Sequence, residues 1–290
     1  MESQLPQINH HPFIDPVDPF KYDAAFHKLY MFFRERMRFV NAAVQHRLHP
    51  LSPCENPWSM ALHFYAAQIW ALPQTGQMQL EIELLTRPHA RGFFCSTTSY
   101  REELKPILGR HNLIFPMFEF ETHGDLAALI QLERELLEFL GFGPAKSFPV
   151  IEYSDAAAMF GVKEIEAEQE QALYEKYGPV IFLVHFPEHT SPFWNMERIG
   201  ALAQKVDVLL HGIETIGSAE RSSDVVGMSD RFHTISNGEY AANLFLRLGK
   251  ERVEQALNEF LALPMITRCG GGIGMNRIIR ALEMQGTLFS

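Results

Sequence analysis

Three charged residues stand seven apart in one apolar stretch, Asp207, Glu214 and Arg221 in "VDVLLHGIETIGSAER". The two carboxylates offer the oxygen donors that Mg²⁺ takes. Two arginines elsewhere, Arg101 after "FFCSTTSY" and Arg277 after "GGGIGMN", can clamp phosphates through paired N–H bonds. Phe115 offers a ring to a purine, with the Arg277 guanidinium over its other face. The run Gly270, Gly271, Gly272 and Gly274 opens "GGGIGMNRIIRALE". Glycine at that density costs backbone entropy, and we read it as room for a nucleotide against the main chain. Arg221 is left to take a substrate carboxylate or amide. Together these residues describe an ATP–Mg²⁺ site beside an amino-acid pocket. The glycine run lacks the GK[ST] ending of a phosphate-binding loop, and no second half of a dinucleotide-binding unit follows it. The plainer alternative is a solvated sheet face. It weakens for the group, because ionised groups inside a sheet are costly unless paired or used.

Short runs rich in aromatic and β-prone residues must carry these side chains: "QIWALP", "RGFFCSTTSY", "LIFPMFEFE" and "PVIFLVHFP" read as strands. "VDVLLHGIETIGSAERSSD" reads as strand, glycine turn and strand. Apolar residues at helical spacing (Phe26, Leu29, Tyr30, Phe33, Met37, Val40, Val44) predict one long helix over 19–48. "DLAALIQLERELLEFLGFG" predicts a helix capped by Asp125 and stopped at Gly141 or Gly143. Residues 150–176 and "AANLFLRLGKERVEQALNEFLAL" also read as helical. Strands grouped in the middle, without regular βα alternation, predict an α+β fold with a mostly antiparallel sheet flanked by helices. We expect an N-terminal arm over 1–18 and a single catalytic domain over 19–290.

The net charge of -10 gives no support to nonspecific nucleic-acid binding through a basic surface, so no DNA partner is expected. The three cysteines, Cys54, Cys95 and Cys269, form no CxxC pair and imply neither a disulfide framework nor a zinc site. His10, His11, His185 and His189 have no metal-ligand spacing. The first residues lack a basic stretch followed by an apolar run, and no window is long and apolar enough to span a membrane. A cytoplasmic protein is the expectation.

"TSYREE" followed by "RHNLIFPMFEFE" resembles motif 2 of the class II aminoacyl-tRNA synthetases, and "GGGIGMNRIIRALE" resembles their motif 3. "LPQTGQMQLE" is similar to the SGQLxxE stretch of the asparaginyl type. The Asp207–Glu214–Arg221 segment and "VIFLVHFPEHTSPFWNM" before it resemble the aspartyl/asparaginyl group. The resemblance implies the class II synthetase catalytic fold and a homodimer. It implies that Arg101 holds the α-phosphate of ATP and that Glu103 lies on the adenine side. Arg110 and His111 would lie near the β,γ-phosphates, and Phe115 and Arg277 would sandwich adenine, with Gly272 and Gly274 beside the nucleotide. It further implies Mg²⁺ on Asp207 and Glu214, the α-amino group on Gln77 and Glu119, and Arg221 with Glu81 facing the side chain. The implied reaction is attack of an α-carboxylate on the α-phosphorus, releasing pyrophosphate and leaving an aminoacyl adenylate.

Departures from that pattern shape the expectation. No anticodon-binding barrel is matched within these residues, so the resemblance points to a free-standing domain like the asparagine synthetases, passing an activated aspartate, asparagine or analogue to ammonia or another amine. Transfer to a tRNA or carrier is the alternative, not favoured, and a non-catalytic amino-acid- or tRNA-binding regulator is a third. Leu80 stands where the aspartyl type and those synthetases have Lys, and Glu81 follows as in the asparaginyl type. A Glu81–Arg221 pair suits a side chain with both a donor and an acceptor, such as an amide; otherwise Glu81 simply pairs with a neighbouring cation. Ile114 and Asn276 replace residues that are usually acidic in motifs 2 and 3.

Overall fold

The computed structural model describes residues 11–44, 49–52, 57–103, 105–106, 112–190 and 193–290. Most of the expected arm, together with Cys54, Arg110 and His111, lies outside the described residues.

Asp18 starts the first helix, α1 (Pro19–Tyr30), by accepting hydrogen bonds from the amides of Phe20 and Lys21, with Pro19 in the first turn where its missing N–H costs nothing. The predicted single helix does not continue to 48. It passes into a π-helical turn, Met31–Arg36, and then into a two-residue strand, β1 (Val40–Asn41). The turn has a packing reason. Phe32 and Phe33, adjacent in sequence, are both fully buried, and a widened turn lets both reach the core. Beyond Arg38, at φ +63°, β1 pairs in parallel with the strand that contains Phe93 and Phe94.

A separate hairpin follows, β2 (Leu62–Tyr65) with β3 (Gln68–Ala71). Then come α2 (Gln77–Thr86), β4 (Gly92–Tyr100), β5 (Ile114–His123) and α3 (Leu126–Phe139). Asp125 caps α3 through the Ala128 amide, and Gly141 follows its end at φ +88°, as the sequence predicts. The stretch read as helical from 150 opens instead as β6 (Val150–Glu152), before α4 (Tyr153–Phe160) and α5 (Ala167–Tyr177). Next are β7 (Val180–Pro187), β8 (Arg198–Ile199), β9 (Leu202–Leu210) and β10 (Ile213–Arg221). The helical stretch near 250 is split by Gly249, at φ +90°: α6 (Val225–Thr234) precedes α7 (Glu239–Leu248) and α8 (Lys250–Leu261). The glycine run is itself a strand, β11 (Arg268–Gly274), leading into α9 (Met275–Gln285).

One nine-stranded sheet runs β1-β4-β5-β11-β10-β9-β7-β6, with β8 on β9. It is antiparallel except at its two edges, where β1–β4 and β6–β7 are parallel. One face packs on α1, α3 and α9 through an aromatic core. Phe33 lies 4.9 Å from Phe120 and 5.2 Å from Phe118, and Phe94 stacks on Phe118 at 5.3 Å. Burying each ring stabilises the fold by about 1.5–3 kcal/mol. The opposite face carries the candidate site. Among the described residues no helix is long and apolar enough to cross a membrane.

Candidate functional site

Strand register decides which residues share the open face. Side chains alternate along a strand, and directly paired residues of neighbouring strands point the same way. Glu119 pairs with Gly272 and Glu121 with Gly270; Gly272 pairs with Gly217 and Gly270 with Ala219; Gly217 pairs with Asp207. Phe115, Met117, Glu119, Glu121, Gly270, Gly272, Gly274, Arg221 and Asp207 therefore share one face. Glu214 needs a further device, because seven residues before Arg221 is the wrong parity for a regular strand. A β-bulge between Glu214 and Ile216 supplies it: Glu214 pairs with Leu209 and rejoins the face of Asp207. The sevenfold spacing puts the three side chains on one face only because of this extra residue.

At one end of the face lies a buried charged cluster. Glu81, on α2, accepts from Arg268 Nε at 2.9 Å and from a terminal nitrogen of the same guanidinium at 2.7 Å. Its other oxygen accepts from Asn195 Nδ2 at 2.7 Å and lies 3.8 Å from Arg221 Nε. Arg221 also pairs with Glu121 at 3.3 Å, donates to the main-chain oxygen of Gly270 at 3.1 Å and donates to the Gln77 side-chain oxygen. Burial drives the Glu121 carboxyl up to about 7, against the pull of Arg221 and with a push from Glu81. Two amide atoms in this cluster are buried and without a partner among the described residues: Gln77 Nε2, a donor, and Asn195 Oδ1, an acceptor. Their identities are fixed by chemistry, since a guanidinium can only donate to Gln77 and a carboxylate can only accept from Asn195. Glu119 stands apart, taking hydrogen bonds from the Thr75 and Thr97 hydroxyls and from the Gly76 amide at 2.8 Å.

At the other end stand Arg101, Phe115, Arg277, Glu214 and Asp207. The Arg101 guanidinium lies over the Phe115 ring, 5.2 Å from its centre. Arg277, in the first turn of α9, donates to the main-chain oxygen of Glu214 at 2.6 Å and lies 3.5 Å from its carboxylate. In this structure Arg101 covers the Phe115 ring and Arg277 is held at Glu214. Burial opposes ionisation of Glu214, but Arg277, Lys205 and Arg101 together hold its carboxyl below the usual range. Burial pushes Asp207 the other way, to about 7, although Lys205 pulls it down. Among the described residues no three His, Cys, Asp or Glu gather as a metal cluster, so protein donors to a cation reduce to this pair. The pair fits one ion: Asp207 Oδ1 is buried without a partner. A Cβ on Gly217 would lie 3.0 Å from Glu214 Oε1 and 3.5 Å from Asp207 Oδ1, so both oxygens lie beside a bare glycine. Glu103 is half-buried just past β4.

The glycines divide. A Cβ on Gly270 would collide with the Glu121 carboxylate and the main-chain oxygen of Phe120, and one on Gly271 with Ser218 and the main-chain oxygen of Gly217. These two are small because neighbouring strands crowd them, which corrects the reading of the whole run as nucleotide space. At Gly272 only the flexible end of Met117 comes close, and at Gly274 only its own Arg277 side chain, at 3.6 Å or more.

Sequence reasoning missed Asn195, Lys205 and Arg268. Lys205 was within reach of it, because two residues before Asp207 in a strand means the same face. Arg268 meets Arg221 only through the β10–β11 register, which no local spacing reveals.

The fold is similar to solved synthetases. Asparaginyl-tRNA synthetase from Pyrococcus horikoshii, complexed with asparaginyl-adenylate, superposes with a TM-score of 0.71 at 20% identity, over 92% of this chain and 67% of that one. Aspartyl tRNA synthetase from Entamoeba histolytica gives 0.68 at 18% identity, over 93% of this chain and 57% of that one. An aspartate–tRNA(Asp) ligase from Pyrobaculum aerophilum is 27% identical over 119 residues, 41% of this chain. That match spans only 25% of the ligase's length. Residues 55–286, most of the chain, match the family described as tRNA synthetases class II (D, K and N), and the chain belongs to that family.

Proposed function

We propose that the protein is an ATP- and Mg²⁺-dependent, AMP-forming ligase that activates asparagine, aspartate or a close analogue. A single observation carries the reading: one sheet face holds two half-buried arginines and a carboxylate pair at one end, and a buried charged cluster with a spare donor and a spare acceptor at the other. Arg101 and Arg277 would lie along the phosphates, with Glu103 on the adenine side and Gly272 and Gly274 leaving room at the main chain; the motif 2 resemblance assigns Arg110 and His111 to the β,γ-phosphates. Asp207 Oδ1 and Glu214 would hold Mg²⁺, which when bound supplies charge neutralisation to the departing pyrophosphate. Glu119 and the Gln77 side-chain oxygen, which also accepts from Arg221, would receive the α-amino group, leaving Gln77 Nε2 for the side chain. An oxygen of the amino-acid carboxylate forms the bond to the α-phosphorus as the bond to pyrophosphate breaks. Such a step needs alignment and charge stabilisation rather than a protein nucleophile. The acceptor we favour is ammonia or a small amine, whose lone pair displaces AMP and whose extra proton goes to solvent.

The spare donor at Gln77 and acceptor at Asn195 support a neutral carboxamide side chain over a carboxylate, because a carboxylate cannot satisfy the Gln77 donor and also donate to Asn195. The test is pyrophosphate exchange by the full chain with ATP, Mg²⁺ and a panel of amino acids. Exchange with asparagine or a close relative is expected, falling about 10²–10³-fold in Arg277→Ala. No exchange with any amino acid overturns the reading. Mass spectrometry of products with ammonia, small amines or tRNA then identifies the acceptor.

A further inference from the structure

Lys205 sits on the same face of β9 as Asp207. Its ammonium donates to Asp207 Oδ2 at 2.5 Å and lies 3.8 Å from the centre of the Phe186 ring. The carboxylate is held between two unlike environments. Oδ2 has a protein cation fixed on it, and that cation is itself held against an aromatic face. Oδ1 is buried, has no partner, and lies with Glu214 Oε1 beside Gly217. The Asp207 residue is only 8% exposed, so solvent screens the ammonium only in part from whatever charge reaches Oδ1.

We propose that Lys205 is a built-in counter-ion of Asp207. It occupies one side of the carboxylate, restricts the Asp207–Glu214 pair to a single divalent cation on the Oδ1 side, and lowers that cation's affinity so that it binds well only with a polyphosphate. A free ion meets two carboxylates and a nearby ammonium; an ion already carried by a polyphosphate brings negative charge that the ammonium favours. Lys205 is thus a positioning residue, acting on the ion through Asp207. The proposal rests on the metal-dependent reading above for the kind of ligand.

The test is a titration of the full chain with Mn²⁺ alone, following free Mn²⁺ by electron paramagnetic resonance, with and without a non-hydrolysable ATP analogue. The wild-type chain is expected to bind one Mn²⁺ weakly at this pair, and Glu214→Gln to lose it. Lys205→Met, and Lys205→Gln as the polar variant should the first not fold, are expected to bind Mn²⁺ about tenfold or more tightly in the absence of nucleotide. Lys205→Arg is expected to behave like wild type. A lysine with a merely structural role would not raise metal affinity on removal. Unchanged or weaker Mn²⁺ binding in the folded neutral variants, two ions at the wild-type pair, or no Mn²⁺ binding by any form each overturns the proposal. Because the titration needs no turnover, failure of pyrophosphate exchange leaves its outcome readable.

Discussion

Phe118, Glu119, Phe120 and Glu121 follow one another in β5, and all four are fully buried. Alternate side chains go to opposite faces of the same backbone, and the two faces solve burial differently. Phe118 and Phe120 meet Phe33 and, for Phe118, Phe94 in ring-to-ring packing. Glu119 and Glu121 meet hydroxyls, an amide and a guanidinium, each contact specific to one atom. The aromatic face is held by summed area, which is tolerant of which atom touches which. The charged face is held by one-to-one pairing, where each missing partner leaves an ionised group stranded. A sheet can carry a polar site at its centre because its other face supplies stability that does not depend on the site.

The largest effects expose that difference. Arg268→Leu removes both N–H bonds to one Glu81 oxygen and is expected to destabilise the fold by about 3–5 kcal/mol. Phe120→Ala is expected to cost a similar amount, about 3–5 kcal/mol. The distinction lies in rescue. Adding Glu81→Leu to Arg268→Leu should recover most of the loss, because no buried charge is then unpaired, whereas no single second substitution refills the Phe120 cavity. Urea unfolding of the four proteins measures this; if the Glu81/Arg268 double variant is no more stable than the single one, the two faces do not differ in the way described.

Gly270→Ala tests the boundary between the faces, where β5 and β11 approach closely. The added methyl meets main chain as well as a carboxylate, so the strands must separate, at an expected cost of about 3 kcal/mol. Gly274→Ala meets only the Arg277 side chain and should change stability by less than about 0.5 kcal/mol. If nucleotide occupies the room there, as proposed, its KM for ATP rises without any change in unfolding midpoint. Equal stability losses at both positions would remove the division drawn within the glycine run.

Strands β4, β5, β7, β9 and β10 were legible because they are long, rich in apolar or aromatic residues and bounded by proline, glycine or charge, and Asp125 marked α3 by a local cap; the short β1, β6 and β8 and the glycine strand β11 were not. The end of α1 was not legible: apolar residues continued at helical spacing through Val44, but pairing of β1 with β4 is a long-range contact. The types of the site residues were legible at Asp207, Glu214, Arg221 and Arg277, whereas their arrangement was not. The bulge before Ile216 turns Glu214 round, and the β10–β11 register brings Arg268 beside Arg221 to take Glu81. Both are properties of strand pairs rather than of strands.

A pH-dependent effect tests an exception on the aromatic side. Glu133, on α3, is fully buried and accepts a hydrogen bond from Ser218 Oγ at 2.6 Å, while its second oxygen has no partner among the described residues. Burial raises its carboxyl from the usual 4.5 to about 8; the Ser218 bond works against the rise and Asp207, across the sheet, adds to it. The sign follows from proton counting. Below about pH 4.5 the folded and unfolded chains are both protonated here, and the group contributes no pH dependence. Between 4.5 and 8 the folded chain keeps a proton that the unfolded chain has released, so stability falls as pH rises, by at most about 1.4 kcal/mol per pH unit from this group. Above 8 both are ionised and the penalty is constant. Glu133→Gln keeps an acceptor for Ser218 and removes the titration. It is expected to leave stability near pH 4.5 almost unchanged and to raise it at pH 7.5 by up to about 4 kcal/mol, flattening the profile in between. Denaturant titrations at the two pH values measure it. A variant that is less stable at pH 7.5 would mean that this carboxylate is held ionised by partners of its own, and that the contrast between the faces stops short of α3.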